Sequence, residues 1–209
     1  MKKIVILMLF CTLFLSCEKI SKSIDETLKP NDTIVNKKSE NVASPPLKSE
    51  KKEINLLTNI EILKKAEEQL KNLPQYNGKE IFIYSILYFY NDGRINAMLQ
   101  HPENPKYVDI YEFNDEKWSG PKPVQLSVRD DVKGRLVSLN KISFINAAKL
   151  AQVYNEKTKE VEGAQPTTSV YISIWNNKLR WYPSSISGSR EHYSIEFNDD
   201  GSLKSFQQD

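Results

Sequence analysis

The chain is poor in the residues that most often carry chemistry. Its 209 residues include two cysteines and two histidines. Both cysteines, Cys11 and Cys17, lie near the start, so everything downstream lacks a thiol, a disulfide and a thiolate metal ligand. The seven glycines build no phosphate-binding loop, and there is no Gly-x-Ser-x-Gly elbow and no His-Glu-x-x-His. The one long apolar run, Ile4 to Leu15, is interrupted by Cys11 and Thr12. It is too short for a hydrocarbon core of about 30 Å, which takes about 20 apolar residues. Charge is balanced: 29 Lys and Arg against 27 Asp and Glu, a net +2 that falls to zero without Lys2 and Lys3. With no basic run, nucleic acid is not an expected partner.

The remaining chemical leads are thin. His101 sits in a Pro-rich loop and His192 at the start of a strand, and both read as solvated surface groups. Two of the acidic pairs, Asp115-Glu116 and Asp199-Asp200, occupy turns, where Asp is favoured for backbone reasons alone; Asp130-Asp131 is a third. Asn198, Asp199 and Asp200 lack the spaced oxygen ligands of a calcium loop. No catalytic residue, metal or cofactor is expected.

What is present begins at the N-terminus. Lys2 and Lys3 precede the apolar run, which ends at Phe14-Leu15-Ser16-Cys17, and the chain then turns polar at once. This resembles the lipobox of bacterial lipoproteins, with Phe14 where Leu is usual. Cys11 fits worse, because bulky Phe10 precedes it and the apolar run continues beyond. The resemblance implies a signal peptide over residues 1–16, a diacylglyceryl thioether on Cys17 and a further acyl chain on its freed amine. More than one chain is needed for stable anchoring. It also implies a place in the cell envelope, by default the periplasmic side of the outer membrane. A plain secretory signal and an uncleaved anchor are the alternatives.

Residues 18 to 52 are rich in Lys, Ser, Asn, Asp and Pro and contain no aromatic residue. Such a stretch cannot bury enough apolar surface to offset its ordering entropy. With Cys17 it reads as a lipidated tether, with a reach of roughly 30–35 Å for a flexible chain. Residues 53–209 read as the folded part.

That part carries an internal echo. Glu112-Phe113-Asn114-Asp115 recurs as Glu196-Phe197-Asn198-Asp199, 84 residues on. A helix is expected from about Asn59 to Leu73, capped by Thr58 with Glu61 and stopped by Pro74. A second is expected from Ser143, over Phe144 to Val161. Each precedes a run with period-two alternation. The strands read as Ile81 to Tyr90, Arg94 to Gln100 and Tyr107 to Phe113, then Val170 to Trp175, Lys178 to Tyr182 and His192 to Phe197. Short fourth strands read at Pro123 to Leu126 and Leu203 to Phe206, with Pro183 to Arg190 as a loop. The expected fold class is α+β: two repeated units, about 55–130 and 139–209. Each is one helix followed by an antiparallel three- to four-stranded meander, with the helices packed on one face of the sheet.

This layout resembles the PepSY-type and beta-lactamase-inhibitor-protein-like families of exported bacterial proteins. The resemblance implies a protein that binds another protein through the open face of its sheet. The residues that fit such a role are Tyr84, Tyr88, Tyr90, Tyr171, Trp175, Trp181 and Tyr182, on or near the less aliphatic strand faces, because Tyr and Trp combine apolar area with a polar tip. The same residues would also serve to fill the junction between the two units. The expectation is a non-enzymatic, membrane-tethered module with an envelope protein partner, as an inhibitor or immunity protein. The alternative is a carrier or sensor of a small glycan or lipid.

Overall fold

The computed structural model describes residues 55–209. The segments read as a signal peptide (1–16) and as a lipidated tether (17–52) lie outside the described residues.

Among the described residues, two α-helices and ten antiparallel strands make an α+β fold. Helix α1 (Ile60–Lys71) buries Leu63, Ala66 and Leu70, the i, i+3, i+7 stripe of an amphipathic helix. Its cap is Asn59, whose side chain accepts from the Ile62 amide at 3.1 Å. Thr58, the residue expected to cap, instead ends a short 3-10 turn and turns its hydroxyl back to the Asn55 carbonyl. The turn places Leu56 and Leu57 in the core, which moves the helix start by one residue. Helix α2 (Ile145–Thr158) buries Ala147, Ala148, Leu150, Ala151 and Tyr154. It begins two residues after Ser143, and neither Ser143 nor Phe144 caps it with a side chain. Glu67 of α1 accepts from the Phe144 amide at 2.8 Å, so one helix caps the next.

Strands β1 (Phe82–Tyr90), β2 (Ile95–Gln100), β3 (Val108–Asn114) and β4 (Lys117–Pro123) form a meander. β4 precedes the expected Pro123–Leu126 position because Asp115 and Glu116 adopt positive φ and make a tight β3–β4 turn. Strand β5 (Leu136–Ser138), which alternation did not reveal, pairs with Phe82–Tyr84 of β1. Strands β6 (Ser169–Trp175) and β7 (Lys178–Tyr182) complete a large sheet of order β4-β3-β2-β1-β6-β7. Strands β8 (Ser185–Ser187), β9 (His192–Phe197) and β10 (Leu203–Gln208) form a second, three-stranded sheet. β8 lies inside the stretch that reads as a loop.

The core is continuous. Ile83, Leu87 and Phe89 of β1, Ile95, Ala97 and Leu99 of β2, and Val170, Ile172 and Ile174 of β6 pack with the buried helix residues. Phe89 meets Phe144 edge-on at 4.9 Å. The opposite face of the large sheet carries the other residue of each alternating pair.

Candidate functional site

Side chains directly opposite one another on neighbouring strands share a face. Across the large sheet, the pairs Ser119–Glu112, Glu112–Asn96, Asn96–Tyr88, Tyr88–Tyr171 and Tyr171–Tyr182 join into one row. It crosses β4, β3, β2, β1, β6 and β7, about 24 Å at the usual strand spacing.

The tyrosines of this row stack on one another. Tyr171 and Tyr182 are parallel within 3° at 4.7 Å, and Tyr88 and Tyr171 are tilted at 4.7 Å. Tyr90, two residues along β1, stacks on Tyr88 at 5.7 Å. The Arg94 guanidinium lies over the Tyr90 ring at 4.7 Å and closes that end. Rings stacked along the row at the strand spacing stand up from the sheet, so edges and hydroxyls face outward. Packing on both sides desolvates the Tyr171 phenol and raises its pKa, and Tyr88 and Tyr182 add to the shift. Partly exposed Ile86, Met98 and Ile110 lie beside the stack on the same face. The Asn96 Oδ1 in the row is covered and has no donor among the described residues.

Charged groups flank the aromatic centre. On one side Lys122 pairs with Glu112 at 3.4 Å. On the other, Lys204 and Arg180 approach Glu196 at 2.9 and 3.0 Å and hold its carboxyl below the usual range. Aromatic and aliphatic groups at the centre with ion pairs at the edge is the distribution of protein-binding surfaces.

Of the residues read as a binding face, Tyr88, Tyr90 and Tyr171 come together here, with Tyr182. Three others are placed differently. Trp181 is buried, because β7 alternation sets it opposite Ile172, and it donates from Nε1 to the Asp199 carbonyl at 3.0 Å. Tyr84 is buried next to a bulge in β1, where Ser85 takes φ 60°. Its phenol is pushed up by burial and by Asp130, with Arg135 opposing. Trp175 is 61% exposed at the far end of β6, four residues from Tyr171.

The histidines hold loops and ends. His101 Nδ1 accepts from the Glu103 and Asn104 amides. His192 lies between Ser187 Oγ, 3.0 Å from Nδ1, and Asp209 Oδ2, 3.5 Å from Nε2. These are the residue types of a nucleophile, base and acid relay. Their geometry here is that of a clasp: Asp209 also accepts from Ser194 and donates its amide to the His192 carbonyl, closing β10 onto β9. The side chains of His192 and Asp209 are about half exposed, and the two amides after Ser187 are committed to the Glu191 and Glu162 carbonyls. A relay needs a closed site and donors for an oxyanion.

Several hollows open among the described residues. A groove of about 410 Å³ runs between α2 and the Asn55–Ile60 segment, lined partly by Leu57, Ile60, Ala148 and Ala151. A slot of about 560 Å³ opens where β7 and β9 diverge, around Arg180 and Glu196. Among the described residues there is no cluster of three metal-binding side chains and no helix long and apolar enough to cross a membrane.

No protein-family model matches the chain, and no curated protein or solved structure matches it.

Proposed function

We propose that this protein is a cell-envelope lipoprotein, held by acylated Cys17, whose folded part is a non-enzymatic module that binds another protein through the open face of its large sheet. The observation that carries the reading is the cross-sheet stack Tyr90, Tyr88, Tyr171 and Tyr182. Tyrosine pairs large contact area with few rotatable bonds and a polar tip, which is why it concentrates in the energetic centres of interfaces. A glycan would need ring faces to lie on, and here the faces are covered by one another. The outward edges and hydroxyls suit a polypeptide surface better.

The reading includes a duplication. Beside the repeated Glu-Phe-Asn-Asp, a second correspondence supports it. Lys65 pairs with Glu116 at 2.6 Å, tying α1 to the β3–β4 turn. Eighty-four residues on from each stand Lys149 and Asp200, where Ser202 hydrogen bonds and then Lys149 lower the Asp200 pKa. The halves diverge in that β6 and β7 joined the sheet of the first unit while β8–β10 separated.

The test is affinity capture from envelope extract with the chain from residue 18 onward, compared with its Tyr88→Ala plus Tyr171→Ala variant. Loss of two central aromatics should weaken a captured partner at least tenfold, with about 2 kcal/mol or more for a hot-spot residue. A partner held equally by both chains, or none at all, overturns the reading.

A further inference from the structure

A second exposed feature lies at one end of the large sheet, away from the tyrosine stack. The β6–β7 turn at Asn176–Asn177 is locked to the segment before β5. The Asn177 amide donates to the Gly134 carbonyl at 2.8 Å, and its side chain donates to the Lys133 and Leu136 carbonyls at 2.7 and 2.9 Å. Arg135 is thereby laid over the Trp175 ring at 4.5 Å, and Lys178 stands directly opposite Trp175 on β7. The same segment carries Val128, which is fully exposed, together with Arg129 and Lys133. Two of the four large apolar residues that stand exposed in the described chain are therefore Trp175, beside the β6–β7 turn, and Val128, in the stretch that leads into the segment locked to it, the other two being Ile60 and Tyr107.

The charges of this corner are uneven. Arg129, Lys133, Arg135 and Lys178 have no ion-pair partner among the described residues. The two nearby carboxylates, Asp130 and Asp131, are each engaged by a backbone amide of their own turn, from Ser127 at 2.7 Å and Gly134 at 2.9 Å. They leave an excess of two cations on the segments that carry one exposed indole and one exposed valine. Residues 55–209 as a whole are close to neutral, so the excess is local.

We infer that this corner is a secondary membrane contact, in which Trp175 and Val128 enter the headgroup layer and the four cations meet anionic lipid headgroups. A protein partner needs roughly 800 Å² per side for a stable interface, which two turn tips do not offer. An indole and a branched aliphatic at turn tips, with unpaired Lys and Arg on the same segments, match the headgroup layer of a charged bilayer, where Trp partitions and each cation gains about fivefold in binding from about 1 kcal/mol. The setting rests on the envelope placement proposed above. The corner itself would act without the lipid on Cys17, restoring contact between the domain and the bilayer that anchors it.

The experiment is co-sedimentation of the chain from residue 18 onward with vesicles of phosphatidylcholine alone or mixed with phosphatidylglycerol, at low and at physiological ionic strength. Binding is expected only with the anionic vesicles, weakening as salt rises, with Trp emission moving to the blue. Arg135→Gln plus Lys178→Gln should weaken it tenfold or more. Trp175→Ser should weaken it and abolish the emission shift. Arg135→Lys, which keeps the charge, should retain most of it and guards against a folding artefact. Tyr88→Ala plus Tyr171→Ala should leave vesicle binding unchanged, so that failure of the corner and failure of the tyrosine face are distinguishable. No binding to anionic vesicles, binding indifferent to the Trp175, Arg135 and Lys178 changes, or a requirement for Trp175 only in capturing a protein, overturns the inference.

Discussion

Ser85 is a single residue with consequences for a whole strand. It adopts φ 60° in the middle of β1, where β1 changes partner from β5 to β6 and its register with β2 shifts. A non-glycine residue in this region costs about 1–2 kcal/mol, more with a β-branched side chain. Ser85→Val is expected to lower stability by about 1–2 kcal/mol in urea unfolding, whereas Ser85→Gly should be neutral or slightly stabilising. Tyr76 is another such residue. It is buried at 2% exposure and donates its hydroxyl to the Gln100 carbonyl at 2.8 Å. Burial first, then Tyr111 and Asp109, drive its pKa far above the ordinary value. A raised folded pKa means that the unfolded chain ionises first. The contribution of Tyr76 is therefore complete below about pH 10 and is lost as pH climbs beyond it. Tyr76→Phe should cost about 1 kcal/mol at neutral pH and make the alkaline loss of stability shallower, as measured by thermal unfolding across pH.

At the scale of elements, the two helices depend on each other at one carboxylate. Glu67 on α1 accepts from the Phe144 amide and the Ser143 hydroxyl at the start of α2, and also pairs with Lys71 at 2.6 Å. It stands where the helix dipole favours negative charge, and its side chain is only 14% exposed. Glu67→Ala is expected to cost about 1–2 kcal/mol, the value of a lost cap. Lys71→Ala, which removes only an i,i+4 pair, should cost no more than about 0.5 kcal/mol, and chemical denaturation would separate the two. If both cost the same, Glu67 acts through the ion pair and not as a cap.

At the scale of the whole molecule, the question is what holds the small sheet to the large one. Trp181 is the main link. Its ring lies in the common core, 6.3 Å from Phe89, while its Nε1 reaches the Asp199 carbonyl in the β9–β10 turn. Asn146 of α2 donates to that same carbonyl at 3.3 Å, and Arg180 reaches Glu196 across the surface slot. Removing a buried Trp leaves a large cavity and takes the shorter of two donors from the Asp199 carbonyl. Trp181→Ala is expected to destabilise by about 3–5 kcal/mol. Hydrogen exchange should show the greatest loss of protection in β9 and β10. Equal loss across β1–β4 would mean that the two sheets open as one unit.

Much of this was readable in the sequence because it follows from local periodicity. The helix stripes, the strand alternation and the punctuation by Pro74, Asn176-Asn177 and Asp199-Asp200-Gly201 depend on residues within a few positions of one another, and they yield the α+β class and most element bounds. The N-terminal pattern likewise stands or falls on a handful of adjacent residues around Cys17. Other features depend on distant residues. β5 has three residues, too few for alternation to show, and exists only because β1 offers it a free edge. The cap of α2 comes from Glu67, 77 residues away. Trp181 and Tyr182 are equally aromatic neighbours; pairing with β6 sends Trp181 into the core beside Ile172 and Tyr182 onto Tyr171. Charge that is balanced along the chain becomes unbalanced around Trp175 because the Asn177 side chain draws the Lys133–Leu136 segment against the β6–β7 turn. Alternation is a property of a segment and can be read from it. Which strands become neighbours, and so which side chains are brought together, is a property of the core they close, and only the tertiary structure decides it.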